Sequence, residues 1–239
     1  MTQPIQHSNS RSLVFPSLHG VFRLWYLQGM VWCMIGLMLG GACSRGIVQE
    51  APPLQRQWEC DKEADEAMKQ RNYGRALLLH HRFLEKEPAN GRALYHLGYA
   101  YGQTGDHRNE AAYYEKAIKL GFMEEAIFFN LGMAYGELNQ MEQSIGAFKK
   151  AVSLHPHSAD SHFGLALAYH RAALDTLAEE EFLDALKLDP THVDARLYLS
   201  VLYADQGVLQ KACEHLQMIL DIDPSNRRAR QFLRRIERE

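Results

Sequence analysis

A period of 34 residues constrains this chain more than any other feature. Steps of 34 from Gly132 reach Ala64, Gly98, Ala166 and Ser200, all small. From Tyr135 they reach Ala67, Tyr101, Tyr169 and Tyr203, and from Pro156 they reach Pro88, Phe122, Pro190 and Pro224. The register holds over residues 57–226 without an insertion, which gives five units: 57–90, 91–124, 125–158, 159–192 and 193–226. A unit this short cannot bury an apolar face by itself, so the period predicts units that stack into a solenoid.

Inside the central unit, Phe128, Leu131, Gly132 and Tyr135 are spaced i, i+3, i+4, i+7 and form one stripe of a helix. Ile145, Phe148 and Val152 form a second stripe. Asn139 and Gln140 separate the two, and Pro156 ends the second helix because it has no amide for the next turn. Each unit is therefore an antiparallel helix pair, and the fold class is all-α. The small residues Gly132 and Ser144, repeated as Ala64 and Ala76, Ala166 and Ala178, Ser200 and Ala212, let the paired helices approach closely.

Some positions depart from the pattern. Glu110 stands where other units have Ala or Ser, with Ala111 beside it, which predicts a slight rotation of that helix to present Ala111. Ala173 stands where Gly105, Asn139 and Gly207 mark the turn between helices. A left-handed backbone would cost an alanine roughly 1 to 2 kcal/mol, so a different turn is expected there. Gly121 takes the place of a proline as the cap ending unit two. Thr191 and Ser225 are expected to cap the helices that follow them. Glu63 replaces the leucine of later units, as suits a terminal unit whose outer side meets water.

The order Leu-Gly, Tyr, Ala or Ser, Phe, Ala, Pro within a 34-residue helix-turn-helix resembles the tetratricopeptide repeat, over about 170 of the 239 residues. The resemblance implies a right-handed α-solenoid with a concave face for peptides or partner proteins, and no chemistry of its own. It also implies that the first helix of each pair lines that face. Three places before and one place after each small pivot stand Tyr95 and Tyr99, Phe129 and Met133, Phe163 and Leu167, Leu197 and Val201. These predict an apolar partner-binding groove edged by Arg92, Asn130, His170, Arg171 and Asp205. The same residues could instead pack between first helices and expose little. A groove of this kind also suits a small apolar ligand or lipid, or a second copy of the chain. The lysine and asparagine clamp that some family members use for a peptide carboxylate is absent from this column.

The N-terminal region reads differently. Residues 1–23 lack periodicity, and 24–42 carry no charge and follow Arg23. This is the pattern of a signal peptide's apolar region or of a short spanning helix. Residues 39–44, Leu-Gly-Gly-Ala-Cys-Ser, resemble a bacterial lipoprotein processing site, which implies lipid on Cys43 and removal of residues 1–42. In that family leucine usually stands three places before the cysteine, where this chain has Gly40. The alternative is an uncleaved inner-membrane anchor. In either case the repeats are expected to face the periplasm if the positive end, Arg11 and Arg23, stays inside. By the resemblance, Ser44 after the cysteine favours the outer membrane. Residues 44–56, with Pro52 and Pro53, read as a flexible tether. Anchor and repeats together resemble bacterial lipoproteins that help assemble envelope complexes, which implies a membrane-tethered scaffold.

A net charge of −3 gives no electrostatic case for nucleic acid. Four scattered cysteines do not form a disulfide framework, and Cys60 and Cys213 read as buried small residues. Among twelve histidines, His80 and His81, and His155, His157 and His162, stand out, but none has a further ligand at dependable spacing. No catalytic constellation, metal site or cofactor motif is expected. Residues 227–239 continue as a helix with Ala229, Phe232, Leu233 and Ile236 on one stripe and six arginines elsewhere. It caps the last unit's core, or offers a basic patch to anionic lipid or an acidic partner.

Overall fold

A computed structural model describes residues 59–238. Cys43, the leader 1–43 and the tether 44–56 lie outside the described residues. Eleven helices occur among the described residues: α1 (Lys62–Lys69), α2 (Tyr73–Lys86), α3 (Gly91–Gln103), α4 (His107–Lys119), α5 (Glu125–Glu137), α6 (Met141–Leu154), α7 (Ala159–Arg171), α8 (Asp175–Leu188), α9 (Val193–Asp205), α10 (Leu209–Ile222) and α11 (Arg227–Ile236). Each unit is one helix pair, and α11 packs against α10. None of these helices is long and apolar enough to cross a membrane.

All five turns within the pairs are alike. Arg71, Gly105, Asn139, Ala173 and Gly207 each adopt a positive φ, between 56° and 82°. The amide of the next residue then reaches the carbonyl five places back at 2.8 to 3.0 Å, as in Gln140 to Tyr135 and Leu174 to Tyr169. The left-handed residue makes that reach possible. Ala173 therefore keeps the common turn rather than the different one its side chain predicts. Gly121, with φ of 90°, ends α4 in the same way, and the Phe122 amide donates to the Ala117 carbonyl at 3.0 Å.

The structure resolves the surroundings of Glu110 and corrects the expected caps of α9 and α11. Glu110 is buried, its carbonyl lies close to Gly98, and its carboxylate rests on Gly102, where any side chain would collide with it. Glu110 and Ala111 therefore both face the interior. Gly102, one turn along α3, makes the room, and Ala111 is buried as well. Burial raises the Glu110 pKa above the usual carboxylate value, against the opposing pull of His107 at 2.8 Å. Thr191 and Ser225 do not cap α9 and α11. They close onto Asp189 and Asp223, and the caps are His192 and Asn226, which accept from the amides of Ala195 and Ala229.

The core is uneven along the array. From Phe148 to Ile236 it is continuous and rich in leucine and aromatic residues, whereas the buried cluster of unit one is Ala64, Ala67, Ala76 and Leu79. On its exposed outer side Glu63 pairs with Arg75 at 2.5 Å. Ala229 and Ile236 are buried and Phe232 and Leu233 half-buried, so α11 covers the apolar end of the last pair. Successive first helices touch, α3 with α5, α5 with α7 and α7 with α9, and no comparable contact joins successive second helices. The first helices therefore form the inner side of the curve.

Candidate functional site

The eight apolar groove residues divide into two rows. Those three places before each pivot are engaged by packing within their own unit and, at Tyr95 and Phe163, by one contact to the next. Tyr95 packs 5.4 Å from Phe122 and 5.6 Å from Tyr114, and its hydroxyl accepts from Asn130 at 3.3 Å. Phe129 meets Phe148 edge-on at 5.6 Å. Phe163 lies 5.0 Å from His192 and 5.8 Å from Tyr198, and Leu197 is buried in the core. This row is therefore largely occupied in packing, but against second helices of its own units as well as between adjacent first helices.

The row one place after each pivot is more open. Tyr99, Leu167 and Val201 are half-buried and Met133 is 38% exposed. Met133 and Leu167 border a shallow recess of about 30 Å³ floored by Gly132, Gly164 and Phe148, with Arg171 at its rim. Arg171 is exposed and its guanidinium lies over Gly136, while His170 faces Asp175 at 3.2 Å. The polar edge is therefore partly engaged: Asn130 and His170 hold neighbouring side chains, and Arg92, Arg171 and Asp205 stand exposed.

One end of the groove was not read from the repeats. Phe232 and Arg228 of α11 join Leu197, Tyr198 and Val201 around a recess of about 210 Å³. It continues into an open cleft of about 1010 Å³ lined by all six arginines of the C-terminal segment. The signal was present in the arginine pattern, but the 34-residue column ends before α11, so no pivot pointed to it.

Two sets of potential ligand atoms also come together although their residues are far apart in sequence. Cys60, Asp65 and His96 form one, and His162, Glu181 and Asp184 the other, with the ligand atoms of each set within 4.8 Å of one another. In the second set hydrogen bonding already accounts for the histidine: its Nδ1 meets Glu181 at 2.7 Å and its Nε2 meets the Pro156 carbonyl at 3.1 Å.

With five helix pairs, one common turn and an inner row of first helices in place, the comparison with known families is decisive. The tetratricopeptide repeat model matches residues 62–121, 129–191 and 176–227. The chain belongs to the tetratricopeptide repeat family. Solved tetratricopeptide structures share this fold. YrrB, a TPR protein described as having an unusual peptide-binding site, is 24% identical with a TM-score of 0.63, over 70% of this chain and 87% of its own. MamA from Desulfovibrio magneticus is 19% identical with a TM-score of 0.65, over 69% of this chain and 93% of its own. A thermophilic TPR protein of Thermus thermophilus is 21% identical with a TM-score of 0.59, over 77% and 99%. No curated protein matches the chain by sequence. Membership of the tetratricopeptide family supports a scaffold role in protein–protein interaction.

Proposed function

We propose that the inner face of this tetratricopeptide array binds an apolar segment of a partner protein while the N-terminal region holds the array at a bacterial envelope membrane. The observation that carries the first part is the row Tyr99, Met133, Leu167 and Val201, which repeats once per unit along touching first helices and retains accessible surface. A helix or extended strand laid along it meets an apolar contact at each unit, flanked by exposed Arg92, Arg171 and Asp205. The apolar recesses of about 30 and 210 Å³ on this face fall below the roughly 300 to 1,000 Å³ of small-ligand pockets, and the larger cleft beside α11 is lined chiefly by arginines rather than by apolar side chains. This favours a partner protein over a small apolar ligand or lipid. Tethering raises the partner's local concentration at the membrane.

Hydrogen exchange on the partner-bound chain tests the groove. A protein partner protects several neighbouring first helices, whereas protection limited to one or two units would point to a small ligand, and protection that depends on chain concentration alone to self-association. The intact mass of membrane-extracted protein, beside a Cys43→Ala control, tests the anchor. A mass starting at Cys43 with acyl chains supports an outer-membrane lipoprotein, and a mass retaining 24–42 supports an inner-membrane anchor instead.

A further inference from the structure

We propose that Cys60, Asp65 and His96 bind a divalent transition-metal ion of the zinc type, which ties the N-terminal unit to the second. The three ligand atoms come from three pieces of chain: the segment before α1, α1 itself and α3. Their mutual separations of up to 4.8 Å bracket the roughly 3.3 to 3.7 Å edges of a tetrahedron with metal bonds of about 2.0 to 2.3 Å. Small side-chain adjustments close the site. Thiol, imidazole and carboxylate together suit zinc or cobalt, whereas calcium and magnesium require oxygen donors.

The polar atoms here are left without the partners that burial ordinarily demands. His96 Nδ1 and Asp65 Oδ1 face each other at 3.0 Å as an ion-pair contact, but without hydrogen-bond geometry and with no hydrogen-bond partner for either atom. His80 is fully buried, its ring stands 5.1 Å from that of His96, and neither of its nitrogens has a partner. Nor does the fold ask for polar residues at these places. His80 occupies the column of Tyr114, Phe148, Phe182 and Leu216, and Asp65 that of Tyr99, Met133, Leu167 and Val201. Unit one alone has polar residues in both columns. The fourth position falls to water or to His80.

The segment carrying Cys60 is held in place independently. Asn90, itself buried, donates to the Glu59 carbonyl at 2.8 Å while capping α3 through the Ala93 amide. The metal answers a structural need, because unit one buries three alanines and a single leucine where later units bury aromatic and leucine side chains. A metal bound only by the folded state stabilises it in proportion to its affinity. Coordination replaces the Cys60 S–H bond by an S–metal bond and releases the proton to solvent, so binding weakens as pH falls.

The test is titration of the chelator-stripped full chain in detergent with cobalt(II) and zinc(II), followed by absorption and melting temperature. One equivalent, thiolate-to-cobalt charge transfer and a raised melting temperature are expected. Cys60→Ser removes the charge-transfer band, and Asp65→Asn and His96→Gln weaken binding by at least about tenfold to a hundredfold. His162→Ala leaves the titration unchanged. Far-ultraviolet dichroism confirms that each variant is folded. The proposal is overturned if the folded wild type binds no equivalent, or if the band survives in Cys60→Ser, which would assign the ion to other cysteines.

Discussion

The ring of Phe148 occupies the space that a side chain on Gly164 would need. A Cβ built on Gly164 overlaps one edge of the ring, and one on Gly132 comes within 2.8 Å of the opposite edge. Phe148 thus passes between the first helices of its own unit and the next, and both must be bare where it does so. Because Phe148 is 2% exposed and enclosed, it cannot move aside. Gly164→Ala should destabilise the array by about 1 to 3 kcal/mol through overpacking. Gly146, on the exposed side of α6 with open space around it, provides the contrast: Gly146→Ala should stabilise by about 0.5 to 1 kcal/mol. Urea unfolding of the two variants reads both signs, and a neutral Gly164→Ala would contradict the packing described.

The turn at Ala173 leads to a second prediction. Its φ of 57° lies in the same left-handed region as Gly105 at 82° and Gly207 at 75°, for which the conformation carries no Cβ penalty. Ala173→Gly should raise stability by about 0.5 to 1 kcal/mol, the relieved strain exceeding the added freedom of the unfolded chain. Gly207→Ala should lower it by about 1 kcal/mol. Midpoints of chemical denaturation decide the matter, and equal effects at both positions would show that the turn is not strained.

His80 supplies a pH dependence. Burial first, and then the neighbouring His96, lowers its pKa from 6.5 to about 4. The folded state therefore binds this proton less readily than the unfolded state does. The associated stability is fully present above pH 6.5 and is lost as pH falls through about 4. In chelated protein this amounts to about 3 kcal/mol across that window. His80→Phe, which restores the aromatic of neighbouring units, should flatten this part of the stability curve and raise the melting temperature of the metal-free protein. It should also shrink the increase that zinc produces. Parallel curves for wild type and variant between pH 7 and pH 4 would refute the assignment.

The two rows of the groove should respond differently to substitution. Phe163→Ala removes ring contacts with Phe182, His192 and Tyr198 and should cost about 2 to 4 kcal/mol. Met133→Glu alters an exposed position and should change stability by no more than about 0.5 kcal/mol while abolishing partner capture. Thermal unfolding combined with a binding assay separates the two roles, and a Met133→Glu protein that still captures the partner would exclude this row as the contact surface.

Periodicity alone revealed the helix pairs and their small-residue contacts, because 34-residue spacing is a one-dimensional record of stacking. What it did not reveal are compensations across helices. Glu110 broke its own column, but the residue that accommodates it, Gly102, lies on the preceding helix and looks unremarkable there. Ala173 broke a propensity rule that the hydrogen bond from Leu174 to Tyr169 overrides. The groove residues were recognised as a set, yet their division into packing and accessible rows depends on the distance between neighbouring units. Cys60, Asp65 and His96 share no local spacing, so only the fold brings them together. His80 could have served as a signal, since it is the one histidine in an otherwise tyrosine, phenylalanine and leucine column.

Each second helix rests on the first helix of the next unit, and successive first helices also touch while successive second helices make no comparable contact, so the joints between units gather on the first helices as along a spine. Bending that fans the second helices apart separates few contacts between them, whereas bending that pulls the first helices apart must break the joints of Tyr95 with Asn130 and of Phe163 with Tyr198. The softest motion therefore changes curvature without dismantling units. A partner lying along the spine would set that curvature, and the outer helices would carry the change to whatever surface they face.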